Sequence, residues 1–184
     1  MMKKISADYI FPGNQAPIKN GVLVLNDDNS IVELLNPATE NINWNDVETH
    51  KGIICPGFVN THCHLELSYL KNQIQEKTQL HGFIKEIITK RNEFTEEQRI
   101  QAMIAAEQEM KNNGIVAVGD ISNGNSTFKL KEKGLLKYHT FIEVFGSDPK
   151  IANEAFSQSK KLFNEYFNTQ RVSITPHATY SVSD

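Results

Sequence analysis

The chain has 184 residues, 39% hydrophobic and 22% charged, with a formal net charge of -3. That balance suits an ordinary globular protein and excludes disordered, collagen-like and bilayer-spanning classes, since no apolar run nears the roughly 20 residues a membrane requires. A slightly acidic chain lacks the concentrated basic surface of a nucleic-acid binder, and two cysteines, Cys55 and Cys63, make no disulfide framework.

The opening Met1-Met2-Lys3-Lys4-Ile5-Ser6-Ala7-Asp8 places a charge where a signal peptide needs an apolar core, so a reducing cytoplasm with both thiols free is the expected setting. Ile5, Ala7, Tyr9 and Phe11 alternate along one predicted strand that Pro12-Gly13-Asn14 stops. Gly21–Leu25 and Ser30–Leu35 flank Asn26-Asp27-Asp28-Asn29, a polar cluster between apolar runs that signals a hairpin. Gly52-Ile53-Ile54 is a further short strand, ended by Cys55-Pro56-Gly57. Residues 1–55 therefore read as a small β-sandwich module.

From residue 56 the rhythm becomes strand, helix, strand, helix. Phe58–His62 reads as a strand. Leu80, Phe83, Ile84, Ile87 and Ile88 recur at helical spacing, an apolar stripe expected to pack as core on a sheet rather than to bind a partner. Thr95 with Gln98 three residues on is a capping box, and Gly114 closes the helix it opens. Ile115–Ile121 and Tyr138–Phe145 are the next strands. Asp148-Pro149 opens a helix with Ala152, Ala155, Phe156, Ser159, Leu162, Phe163 and Tyr166 along one side, and Arg171–Thr175 is the last strand.

Strands separated by amphipathic helices imply parallel βα units, either an open doubly wound sheet or part of an eight-fold barrel. No glycine-rich turn follows the first strand, and the chemistry-bearing residues fall at the carboxyl ends of strands, where barrel enzymes keep their active sites. A closed barrel needs about 250 residues, roughly twice what residues 56–184 supply. The expected fold is α/β: the first half of a partial (β/α)8 barrel over 56–184, preceded by the sandwich module.

The informative stretch is Pro56-Gly57-Phe58-Val59-Asn60-Thr61-His62-Cys63-His64-Leu65-Glu66. Residues two apart on a strand share a face, so His62 and His64 aim together at the barrel mouth while Cys63 points back to the helices. Two neutral imidazoles side by side suit zinc or iron(II). Taken alone, His-x-His is equally two hydrogen-bonded or solvated histidines at a strand end.

This stretch resembles the first-strand signature of the amidohydrolase superfamily, Pro-Gly-Phe-x-(Asn/Asp)-x-His-x-His after a small N-terminal β module, and the resemblance runs over the whole chain. Within that superfamily the chain is most similar to the cytosine deaminase and chlorohydrolase branch, through His64-Leu65-Glu66-Leu67-Ser68, Val118-Gly119-Asp120-Ile121-Ser122-Asn123, Glu143-Val144-Phe145-Gly146 and Thr175-Pro176-His177-Ala178-Thr179-Tyr180. In the last segment Thr179 stands where proline is usual. The His-Leu-Glu-Leu-Ser wording resembles the aminodeoxyfutalosine deaminases, which act on adenine nucleosides in menaquinone synthesis.

The resemblance implies one divalent metal ion, zinc first and iron(II) second, held by His62 and His64. It implies a substrate contact for His177, often to a sugar group, with a third metal ligand or a structural histidine as alternatives. Glu66, just past the metal pair, is a second candidate for substrate binding, or else a surface or capping carboxylate. Asp120 and Glu143, near strand ends on the active side, either orient a metal histidine by hydrogen bonding or bind loop amides. His50 and His139 read as structural and His81 as solvated.

The function implied is a deaminase releasing ammonia from a purine nucleoside or related aromatic amidine by metal-activated water. The alternatives are a cyclic amide or chloro-triazine hydrolase of the same fold, and a non-catalytic half-barrel assembly or binding protein. The general base and remaining ligands of the family, a later histidine, a His-x-x-Glu motif and an eighth-strand aspartate, are expected beyond Asp184. The 184 residues alone are therefore expected to be a truncated, inactive piece. The partner expected is a small-molecule substrate, without nucleic acid or membrane, and a homodimer or a missing C-terminal segment is expected to complete the barrel.

Overall fold

Four successive apolar residues, Val22 to Leu25, cannot alternate between core and water, so the strand they form must be covered on both faces. In the computed structural model, which describes residues 2–146, 148–176 and 178–183, all four are buried. They belong to the first of two units, Met1–Gly57 and Phe58–Asp184. In the first unit β1 (Lys3–Ser6), β2 (Tyr9–Ile10), β3 (Ile18–Lys19), β4 (Val22–Leu25), β5 (Ile31–Leu35), β6 (Val47–Thr49) and β7 (Ile53–Ile54) form two sheets, ordered β5-β4-β1-β6 and β3-β2-β7. Ile10 and Ile54 of the smaller sheet meet Ile5, Leu23, Leu25 and Leu34 of the larger in one apolar cluster. Each aliphatic side chain fully buried there contributes about 1.5–3 kcal/mol.

The β4–β5 hairpin forms where the polar cluster predicts it. The Asn26 N–H donates to the Ser30 carbonyl and the Asn29 N–H to the Asn26 carbonyl, each at 2.9 Å. Asn29 takes a φ of 62°, in the left-handed region that asparagine tolerates. The single strand expected over Ile5–Phe11 is instead two strands in different sheets. Ser6 and Ala7 are both buried, which breaks the alternation, and the Asp8 carboxylate turns aside to accept the Gly52 N–H at 2.8 Å. Ile10 enters the core, while Tyr9 and Phe11 are exposed.

The second unit is built on β8 (Phe58–Cys63), β9 (Ile115–Ser122), β10 (Lys137–Val144) and β11 (Val172–Pro176), all parallel and paired in sequence order. Strand order nowhere reverses among them, as it would in a doubly wound sheet. The connecting helices are α1 (Gln79–Lys90), α2 (Glu96–Asn112), α3 (Phe128–Lys131) and α4 (Pro149–Tyr166). Thr95 and Gln98 form the reciprocal capping box of α2, and Gly114 follows its end at a φ of +79°. On α2 the buried positions Met103 and Glu107 lie one turn apart, and the Glu107 carboxylate accepts the Tyr138 hydroxyl at 3.0 Å. Asp148 caps α4 by accepting the Lys150 N–H at 3.0 Å.

Two features depart from expectation. The α1 stripe is not core: Leu80, Phe83, Ile84 and Ile88 are exposed. Periodicity shows that one side of a helix is apolar without showing what lies against it. In addition α3, only four residues long, has no period to read, yet its Phe128 is fully buried and stacks on Tyr166 with ring centres 4.0 Å apart.

At Gly119 the strands β8 and β9 come so close that a Cβ would lie 2.8 Å from the Thr61 carbonyl oxygen and 3.2 Å from the Phe141 ring. Because the nearer neighbour is backbone, Gly119→Ala is expected to destabilise the chain by about 1–3 kcal/mol, read as a lower urea midpoint. An unchanged midpoint would show that the two strands do not approach this closely.

Candidate metal centre

Between the pairs Asn60–Val118 and Cys63–Asp120, two residues of β8, Thr61 and His62, run against one of β9, Gly119. This one-residue excess, a β-bulge, re-aims the side chains at the strand's carboxyl end. Asn60 and Cys63 both face the helix layer. The Asn60 amide nitrogen reaches Met110 Sδ at 3.7 Å, and Cys63 packs on the cluster of Leu65, Met103 and Leu130. His62 is exposed and His64 half-buried, with ring centres 5.2 Å apart at 70°, edge towards face. The backbone is pinned on both sides of the pair. Asn60 Oδ1 accepts the His62 N–H at 3.3 Å, and Asp120 Oδ1 accepts the Leu65 N–H at 2.8 Å. The chain then turns into a 3-10 helix, Leu65–Leu70, whose first residue is fully buried.

The spacing of the two rings fits a shared ion. With a zinc–nitrogen bond of about 2.0–2.1 Å, each ring centre lies about 3.2 Å from the metal, and a tetrahedral angle sets two such centres about 5.2 Å apart. Two imidazoles nonetheless make a partial set, because catalytic zinc normally takes three protein ligands. Among the described residues no group of three or more His, Cys, Asp or Glu side chains is placed to hold an ion.

Glu66 is half-buried, and both its oxygens accept the Asn123 N–H at 3.2 Å, with the Asn123 side-chain amide at 3.1 Å from one of them. Burial pushes its carboxyl above the ordinary range, against the pull of the two Asn123 hydrogen bonds. Beside His64 opens a cavity of about 430 Å³, lined mainly by apolar side chains including Leu67, Leu70, Ile74, Phe83 and Ile87. Glu143 is buried near the end of β10. His139 bonds Ser173 Oγ at 3.0 Å, His50 pairs with Glu48 at 3.0 Å, and His81 is exposed on α1. His177 lies outside the described residues.

Sequence reasoning missed Lys131. Its Nζ lies 2.6 Å from Asp120 Oδ2 and donates to Thr140 Oγ1 at 2.8 Å, above the rings of Phe128 and Tyr138. Burial draws the ammonium below its ordinary range while Asp120 draws it back up. Asp120 thus serves a loop amide and a lysine on the side of the sheet that carries Cys63. Nothing in Thr127-Phe128-Lys129-Leu130-Lys131 tells a buried lysine from a surface one; its burial follows from α3 lying on β9 and β10.

No protein-family model matches the chain, and no curated protein matches it in sequence. Solved structures match its fold. Aminofutalosine deaminase from Helicobacter pylori, complexed with methylthio-coformycin, superposes with a TM-score of 0.74 at 19% identity, covering 99% of this chain and 45% of that one. Guanine deaminase from C. acetobutylicum, with guanine in its active site, gives 0.67 at 15% identity, with 100% and 48% covered. Atrazine chlorohydrolase from Arthrobacter aurescens, complexed with zinc, gives 0.67 at 13% identity, with 98% and 48% covered. The chain shares its fold with these deaminases and this chlorohydrolase while spanning less than half of their length. Among the described residues no helix is long and apolar enough to cross a membrane.

The bulge also sets the chemistry of Cys63, whose thiol burial pushes up to about 11, with nearby Asp120 adding to the rise. The thiolate is the nucleophile, so a raised pKa leaves little of it at pH 8. Iodoacetamide at that pH is expected to label exposed Cys55 and spare Cys63, with Cys63 labelling climbing only as the pH approaches 11. Equal labelling at pH 8, read by peptide mass spectrometry, would contradict the burial of Cys63 against the helix layer.

Proposed function

We propose that this chain is the N-terminal portion of a metal-dependent amidohydrolase that releases ammonia from a purine nucleoside or related aromatic amidine. The observation that carries the reading is the pair of imidazoles 5.2 Å apart at the carboxyl end of β8. The sequential parallel order β8 to β11 supports the first half of a (β/α)8 barrel. The apolar cluster shared by the two N-terminal sheets supports a β-sandwich module before it. Likeness to deaminases, and to a hydrolase solved with zinc, supports both the metal and the reaction class.

In this reading His62 and His64 supply two of the ligands of one divalent ion, zinc or, second, iron(II). When bound, such an ion lowers the pKa of its water towards neutrality and so provides a nucleophile at physiological pH. Asn60 and Asp120 hold the backbone that carries the two rings. The cavity beside His64 is within the size range of small-molecule sites and admits the substrate. Glu66 and His177 contact the substrate. Proton transfer and the remaining metal ligands come from groups outside these 184 residues, so this stretch alone is inactive. Likeness to the atrazine chlorohydrolase supports a second reading, hydrolysis of a cyclic amide or chloro-triazine by the same pair of histidines.

The expected result for the purified chain is uptake of about one zinc per molecule, as suits a single metal centre. His62→Ala with His64→Ala should abolish that uptake, measured by metal analysis after dialysis. The zinc-loaded 184-residue chain should release no ammonia from adenine nucleosides. A folded chain that takes up no zinc contradicts the metal reading, and ammonia release by the chain alone contradicts the need for further groups.

A further inference from the structure

Asp120 and Lys131 form a buried ion pair that the proposed chemistry leaves unused. The two carboxylate oxygens divide their work. Oδ1 accepts the Leu65 N–H at 2.8 Å, while Oδ2 lies 2.6 Å from Lys131 Nζ and accepts the Ser122 hydroxyl at 3.1 Å. Thr140 Oγ1, at 2.8 Å, and Ser122 Oγ, at 3.4 Å, take further Lys131 donors. Both charged side chains are shut off from water.

The first N–H groups of a helical turn have no partner within the turn. Leu65 opens one, directly after His64, at a fully buried position where water cannot serve. An ionised acceptor makes a shorter and stronger bond than a neutral one, but a carboxylate is tolerated in the core only beside a counter-charge. Lys131 supplies it. A well-packed apolar pair would hold the layers together as well or better, so stability alone does not account for burying two charges here. A fixed acceptor for the Leu65 amide does.

Resting on the metal reading above, we propose that Asp120 and Lys131 are positioning residues, which lock the backbone at Leu65 and so hold the His64 ring beside that of His62. They touch neither metal nor substrate. Lys131 holds the Asp120 carboxylate in place through their 2.6 Å contact, and Asp120 fixes the turn.

Two double variants of the full chain test this. Asp120→Asn with Lys131→Met removes both charges and keeps a carbonyl acceptor for Leu65, whereas Asp120→Leu with Lys131→Met removes the acceptor as well. Zinc affinity is read by competition with a chromophoric chelator, folding by circular dichroism, and ring proximity by the NOE between His62 and His64. The asparagine variant should stay near wild-type affinity. The leucine variant should bind about tenfold or more weakly, the scale reached by residues that orient metal ligands, and should lose the NOE while remaining folded. A folded leucine variant with wild-type affinity and an intact NOE overturns the proposal. If that variant does not fold, hydrogen exchange of the wild-type Leu65 amide decides: protection supports the anchor, and exchange at the rate of exposed loops overturns it. Wild-type chain that takes up no zinc sinks the metal reading instead, and the NOE comparison then judges the positioning role by itself.

Discussion

A buried amide must find an acceptor, and at Leu65 the acceptor is a charged one drawn from the neighbouring strand. Much of the second unit is organised around that single bond. To reach Leu65, Asp120 must face the helix side of β9, opposite Cys63 of β8. To be buried there it needs the Lys131 ammonium, which in turn requires α3 to lie against β9 and β10. The short helix, the polar pocket of Ser122, Thr127 and Thr140, and the turn after His64 thus form one connected set.

The bulge in β8 is the second constraint. Asn60 and Cys63 are three positions apart, so unbroken alternation would send them to opposite faces; the bulge between them breaks that alternation. With it, both turn to the helices, and His62 is carried to the other side with its N–H held by Asn60. The histidine pair is therefore flanked by two side chain-to-backbone bonds, one neutral from Asn60 and one charged from Asp120. In the proposed metal reading, a pair pinned in this way would not have to order its own backbone on binding the ion.

Much of this was legible in the sequence because it is written in local rules. The hairpin over Asn26–Asn29, the capping box at Thr95, the stop at Gly114 and the strand–helix alternation after Pro56 each depend on a few neighbouring residues. The side chain directions of His62, Cys63 and His64 followed from the two-residue period of a strand. What stayed hidden depends on contacts distant in sequence. Asp120 meets Leu65 across 55 positions, and Glu66 meets Asn123 across 57. The break at Ala7-Asp8 was hidden for the same reason, since the Asp8 carboxylate is turned by Gly52, 44 residues away. The apolar stripe of α1 is legible as a stripe but not as exposed, because what lies against a helix, unlike its period, is not encoded in the helix itself.

The central claim is that the His62 and His64 rings share one metal ion, and X-ray absorption at the zinc edge of the loaded chain tests it most directly. Two imidazole nitrogens at about 2.0–2.1 Å, with light-atom ligands filling the rest of the shell and the imidazole signal gone when His62 and His64 are replaced by alanine, are what the account predicts. A shell with sulfur at about 2.3 Å, or an imidazole signal that survives the double replacement, would contradict it.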